Sequence, residues 1–174
     1  MADKDQGQKE DTSIRYFSDP IHPSVNDNFQ GHPLAHLKSL AENKNDARAQ
    51  FMMGDMLAKG KGGFAKDEAT ASLFFQQSGK GGNPYAFIRL AAMAEKQHKM
   101  LEAYQWYSIG VDYFPKGENR LYMIRQKNQL SRDHKFTNSE IRKIKQNIKI
   151  WHDTDFQYPD LPPLLDLSPE TEEE

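Results

Sequence analysis

Two consecutive stretches of this chain carry one pattern, and that repetition restricts the fold more than any other feature. From Asp46 to Phe114, apolar residues recur at helical spacing in four segments separated by glycine, proline or polar breaks. Asp46 suits the N-cap of a helix over about 47–59, where Ala49, Met53, Met56 and Leu57 share a face thickened by Ala47, Phe51 and Ala58. Gly60-Lys61-Gly62-Gly63 stops that helix, because glycine takes the positive φ angles of a C-cap and tight turn. Asp67 caps a partner helix, about 68–79, with Ala71, Phe74, Phe75 and Ser78 inward, and Gly79-Lys80-Gly81-Gly82 breaks the chain again. Asn83-Pro84 opens the second pair. Ala86, Phe87, Leu90, Ala91 and Ala94 run to about Gln97, a turn near His98 follows, and Leu101–Phe114 carries Ala103, Trp106, Tyr107 and Gly110 before Pro115-Lys116-Gly117 ends it.

The two pairs superimpose as sequence. Ala49 matches Ala86 at an offset of 37, while Ala71 matches Ala103 and Phe74-Phe75 match Trp106-Tyr107 at 32. Repeats of this length are the signature of helical arrays, in which each hairpin has an apolar face that only a neighbour covers. The flanks extend the scheme. Pro33 opens a short helix with Leu34, Leu37, Leu40 and Ala41 at helical spacing. Leu121, Ile124 and Leu130 mark a helix over about 119–131. Thr137-Asn138-Ser139-Glu140 then reads as a capping box before the stripe Ile141, Ile144, Ile148 and Trp151, a third and diverged hairpin that closes the stack. The expected fold is all-α: an α/α superhelix of about three stacked hairpins over residues 33–152, between two disordered tails.

The tails are expected from composition. Residues 1–32 are polar, with scattered aromatics (Tyr16, Phe17, Phe29), and bury too little apolar surface to offset chain entropy. Residues 153–174 hold eight acids and no base, interrupted by Pro159, Pro162 and Pro163, with an embedded apolar motif, Leu161-Pro162-Pro163-Leu164-Leu165-Asp166-Leu167. Residues 46–152 hold 18 basic against 10 acidic residues, so a basic body carries an acidic tail. The opening residues lack the apolar run of a secretory signal, and no run reaches the roughly 18 apolar residues of a bilayer span, so the expected location is cytoplasmic, away from membranes. Cysteine is absent, which removes disulfides and thiol chemistry.

The line Ala49-Gln50-Phe51-Met52-Met53-Gly54-Asp55-Met56-Leu57-Ala58-Lys59-Gly60-Lys61-Gly62 resembles the opening of Sel-one-like repeats, the tetratricopeptide-related α/α class with the pattern A-x-x-x-L-G-x-x-Y-x-x-G-x-G-V. Met53 stands at the Leu position, Gly54 at the Gly, Leu57 at the Tyr, and Gly60 and Gly62 at the turn glycines. Asp67, Ala71 and Phe74-Phe75 continue it as the D-x-x-x-A-x-x-W-Y segment. The second copy keeps Ala103, Trp106 and Tyr107, but Ala91 replaces the helix glycine and the G-x-G turn is gone. The resemblance covers about 70 residues. It implies a superhelix used for protein–protein contact, without catalysis. Ala49, Gly54, Ala71, Phe74, Phe75, Ala86, Ala103, Trp106 and Tyr107 are then packing positions.

The expected function is that of an adaptor or scaffold holding a peptide or a partner helix in a groove formed by the first helices of successive hairpins. Met52, Asp55, Lys59, Arg89, Met93 and Lys96 are the candidates for exposure in that groove. The glycine clusters do not fit a phosphate loop: neither matches G-x-x-x-x-G-K-[ST] or follows a strand pattern. The histidines have no ligand-like spacing, so neither a metal nor a cofactor is expected. His98, His134 and His152 sit at helix ends, Glu95 and Glu102 read as outward charges, and no catalytic motif brings such groups together, which argues against an enzyme. The alternative is a basic domain that binds anions or nucleic acid, with Arg142, Lys143, Lys145 and Lys149 as its basic face and the acidic tail as an intramolecular competitor. No nucleic-acid-binding motif accompanies those charges, so another protein or peptide is the preferred partner.

Overall fold

A computed structural model describes residues 33–154 of the chain; the expectations for residues 1–32 and for the tail beyond Thr154 lie outside the described residues. Those described residues form seven helices and no strand: α1 (Pro33–Asn43), α2 (Ala47–Lys59), α3 (Glu68–Lys80), α4 (Tyr85–Lys96), α5 (Met100–Tyr113), α6 (Glu118–His134) and α7 (Asn138–Asp153).

The ends follow the chemistry of their residues. Asp46 accepts a hydrogen bond from the Ala49 N–H at 2.8 Å, and Asp67 from the Thr70 N–H at 3.0 Å, each satisfying an N–H that the helix itself leaves open. Gly60 closes α2 in the left-handed region at φ 64°. Pro84 is already helical, and Asn83 accepts from the Tyr85 N–H at 3.2 Å, which is the cap expected there. The capping box at Thr137 is complete, with Glu140 reaching back to the Thr137 N–H at 2.7 Å. α3, expected to run to about residue 79, ends at Lys80, and Gly79 lies inside it, where bare backbone lets the helix approach Phe87.

α2 packs along α3, α4 along α5, and α3 on α4. The repeat positions meet in the interior: Ala49, Gly54, Ala71, Phe74, Phe75, Ala86, Ala103, Trp106 and Tyr107 are all buried. Gly54 faces Phe75 so closely that a Cβ would stand 2.8 Å from its ring, and Phe51 meets the same ring edge-on at 5.4 Å. α1 packs on α2, joined by a bond from Gln50 Nε2 to the Ala41 carbonyl at 3.1 Å.

The last two helices are arranged differently from the first two pairs. α6 and α7 each lean on α5 more closely than on one another. Trp151, near the end of α7, inserts among Phe87 (5.4 Å between ring centres), Tyr113 (5.8 Å) and Trp106 (6.0 Å), which ties α7 to α4 and α5 through aromatic edges. Ile144 is buried on the same helix, while Ile150 is 56% exposed. Of the α7 stripe, Trp151 and Ile148 pack on this core, and Ile144 is buried apart from it. No helix among the described residues is long and apolar enough to cross a membrane.

Candidate functional site

A cleft of about 430 Å³ opens where α2, α4 and α6 meet, and its walls are Phe51, Tyr85, Ile88, Arg89, Glu118, Asn119, Tyr122 and Arg125. The lining is set by helical geometry. Tyr85, Ile88 and Arg89 fall at i, i+3 and i+4 on the first turns of α4, and Glu118, Tyr122 and Arg125 at i, i+4 and i+7 along α6. The walls also repeat along the chain: Phe51, Ile88 and Arg125 stand at successive intervals of 37 residues, and so do Tyr85 and Tyr122. The same interval links Ala49, Ala86 and Met123, all buried. Residues at this interval thus line one cleft from three helices.

Each wall is held by identifiable contacts. Arg89 lies with its guanidinium 5.7 Å from the centre of the Phe51 ring and 3.5 Å from Asp55, so its charge is aimed rather than free. Asn119 donates to the Tyr85 hydroxyl at 3.1 Å, and the Tyr85 ring meets Phe114 edge-on at 5.3 Å, which joins the starts of α4 and α6. Tyr122 stands over Tyr107 at 6.4 Å and keeps 40% of its surface exposed. Among the described residues, neither Arg125 nor Glu118 takes part in an ion pair. The cleft combines aromatic surface, one aliphatic wall and two guanidinium groups, of which Arg89 is already paired with Asp55, beside the Glu118 carboxylate.

Of the residues expected in the groove, Arg89 alone lines it. Met52 is buried, because α2 is packed by α1 as well as α3, and this corrects the expectation of exposure. Asp55 binds Lys59 and Arg89, so both acid and lysine serve to fix the cleft's edge. Met93 is half-buried against the core. Lys96 is exposed but engaged, 3.0 Å from Glu68, and Lys66 reaches the same carboxylate at 3.1 Å. The Lys96 ammonium, with Lys66 behind it, holds the Glu68 carboxyl down at about 2, and Glu68 in turn raises Lys96.

The other candidates are placed as follows. Arg142 and Lys145 are exposed on α7, Lys143 is half-buried, and Lys149 pairs with Asp153 at 2.6 Å. Glu95 and Glu102, expected to face outward, instead accept bonds from the Tyr107 hydroxyl and from Trp106 Nε1 at 3.3 Å. Burial, and then the Glu95 carboxylate, push the Tyr107 phenol well above its ordinary range. His98 is exposed at the α4–α5 turn with φ 59°, His134 stacks on Phe136, and His152 pairs with Asp112 at 3.1 Å.

Phe51, Tyr85, Ile88, Tyr122 and Arg125 were not singled out as binding residues by the sequence. The interval of 37 that aligns Ala49 with Ala86 was the available signal; carried one step further it reaches Met123 and places Tyr122 and Arg125. Comparison of the chain with protein-family models, with curated proteins and with solved structures yields no match.

Proposed function

We propose that the protein is an adaptor whose described helices form a short α/α solenoid, and that it holds an extended acidic peptide or a partner helix in the cleft between α2, α4 and α6. The observation that carries this reading is the recurrence of the lining at intervals of 37 residues on three alternate helices. That register supports stacked equivalent units, because only units related by a regular step bring the same helical turn to the same surface. The resemblance of the Ala49–Gly62 line to Sel-one-like repeats points the same way.

The chemistry of the walls defines the ligand. Phe51, Ile88 and Tyr122 take an apolar side chain, and Arg125, which has no ion-pair partner among the described residues, takes a carboxylate through its guanidinium donors beside the Asp55-held Arg89. A peptide alternating leucine-like and acidic residues satisfies both. The test is selection of random peptides on the full chain, followed by titration against Arg125→Glu and Ile88→Asp. Enrichment of acidic-apolar sequences is expected, with affinity lowered about tenfold by reversing the Arg125 charge, equivalent to about 1.4 kcal/mol. Selected peptides that bind both variants as well as the parent chain, while circular dichroism stays unchanged, would move the binding surface elsewhere.

A further inference from the structure

We infer that the cleft has an occupant of its own: the segment Leu161–Leu167 of the same chain docks there and competes with outside peptides. This rests on the reading of the cleft as a peptide site and adds its regulation.

Charge selects the segment. Residues 155–174 carry seven acids and no base, whereas residues 1–32 carry six acids and three bases, with Arg15 beside its aromatic pair. Arg89 and Arg125 face the cleft, and the body around them has an excess of eight positive charges between residues 46 and 152. At about 0.15 M salt the screening length is about 8 Å, so these charges steer the segment and close contact must hold it. Leu161, Leu164, Leu165 and Leu167 supply that contact opposite Phe51, Ile88 and Tyr122. Pro159, Pro162 and Pro163 restrict the backbone toward extended forms, which lowers the entropy lost on docking.

The point of exit makes the contact reachable. Trp151 touches Phe87, which sits between Tyr85 and Ile88 in sequence, and His152 bonds Asp112, two residues before the Phe114 that packs on Tyr85. α7 therefore ends at the end of the bundle where α4 and α6 begin, the end at which Tyr85, Glu118 and Asn119 line the cleft. The six residues from Asp155 to Asp160 span up to about 20 Å. A tether of this length gives an effective concentration on the order of 1 mM, so an intrinsic Kd of about 0.1 mM leaves the cleft filled roughly ten times as often as empty.

The chain has no cysteine, so a spin label placed on Ser168→Cys reports from one position only. In the full chain, the amide signals of Ile88, Tyr122 and Arg125 are expected to broaden, and to recover in Leu164→Asp/Leu165→Asp and in Arg125→Glu. Full intensity at those amides overturns the inference. So does broadening centred on Arg142 and Lys145, or broadening seen only between labelled and unlabelled copies. A second readout separates this inference from the adaptor reading. A peptide selected on the full chain is expected to bind the double leucine variant about tenfold more tightly. Unchanged affinity defeats the competition by the tail and leaves the adaptor reading standing. Peptide binding absent from both chains, with the broadening intact, defeats the adaptor reading alone.

Discussion

The ammonium of Lys80, the last residue of α3, hydrogen-bonds the main-chain carbonyls of Trp151 and His152 at 2.6 and 2.8 Å and lies 4.7 Å from the centre of the Trp151 ring. The final carbonyls of a helix have no partner within it, so a lysine from another helix acts here as both cap and counter-charge for α7. Lys80→Met keeps the aliphatic stem and removes the donors. It is expected to cost about 1.5–3 kcal/mol in urea unfolding, the range for hydrogen bonds that involve a charged group. Amide exchange in the last turn of α7 should accelerate first. Unaltered exchange there would show that Trp151 alone anchors the helix.

Gly79 and Phe87 set a second, tighter requirement. A Cβ at position 79 would stand 2.6 Å from Phe87 Cε1 and Cζ, and that ring is confined by Trp106, Tyr113 and Trp151. Alanine in a helix is intrinsically better than glycine by about 1 kcal/mol, while overpacking a confined site costs about 1–3 kcal/mol. Gly79→Ala is therefore expected to lower stability by up to about 2 kcal/mol despite its better propensity, read as a shift in the urea midpoint. A stabilised variant would mean that the ring has room to move aside.

Much of this architecture was legible in the residues, and the cleft was not. Asp46, Asp67, Thr137 and Gly60 mark helix ends because their caps are local chemistry, decided within a few residues of sequence. Phe74, Phe75, Trp106 and Tyr107 reveal themselves through period and size, which is why their burial was readable. Exposure on α2, α4 and α6 depends instead on which neighbours arrive from elsewhere. Met52 and Arg89 stand 37 residues apart at equivalent positions, yet the first is buried and the second lines the cleft. α1 packs on α2, and no spacing rule within α2 announces it. Gly79 looked like a breaker for the same reason: its partner, Phe87, belongs to the next helix.

Gln77 offers a test in the stabilising direction. It is 5% exposed, and among the described residues neither its Oε1 nor its Nε2 has a hydrogen-bond partner. A buried amide that loses its water without a replacement bond costs about 1–3 kcal/mol. Methionine has a similar length and no such requirement. Gln77→Met is expected to raise the unfolding free energy by about 1 kcal/mol or more, whereas Gln105→Met should gain less, since Gln105 Oε1 already accepts from Asn147 at 3.4 Å. Equal gains at the two positions would argue that burial of amides in general, rather than the missing partners of Gln77, limits stability.

Glu68 links the start of α3 to the end of α4 and gives the fold a defined acid sensitivity. Lys96, then Lys66, hold its carboxyl at about 2 in the folded protein, against an ordinary 4.5. The folded form thus prefers the carboxylate more than the unfolded chain does. Its contribution to stability is present above about pH 4.5 and is lost as the pH falls through about 2, below which both states bind the proton. Glu68→Gln mimics the protonated side chain at every pH. Compared by denaturant unfolding, the parent chain should exceed Glu68→Gln in stability near neutral pH, and the difference should shrink between about pH 4.5 and 2. The pair is exposed and screened by salt, so the difference should also narrow at high ionic strength. A difference that persists undiminished at about pH 2 would assign the effect to the shape of the side chain instead of its charge.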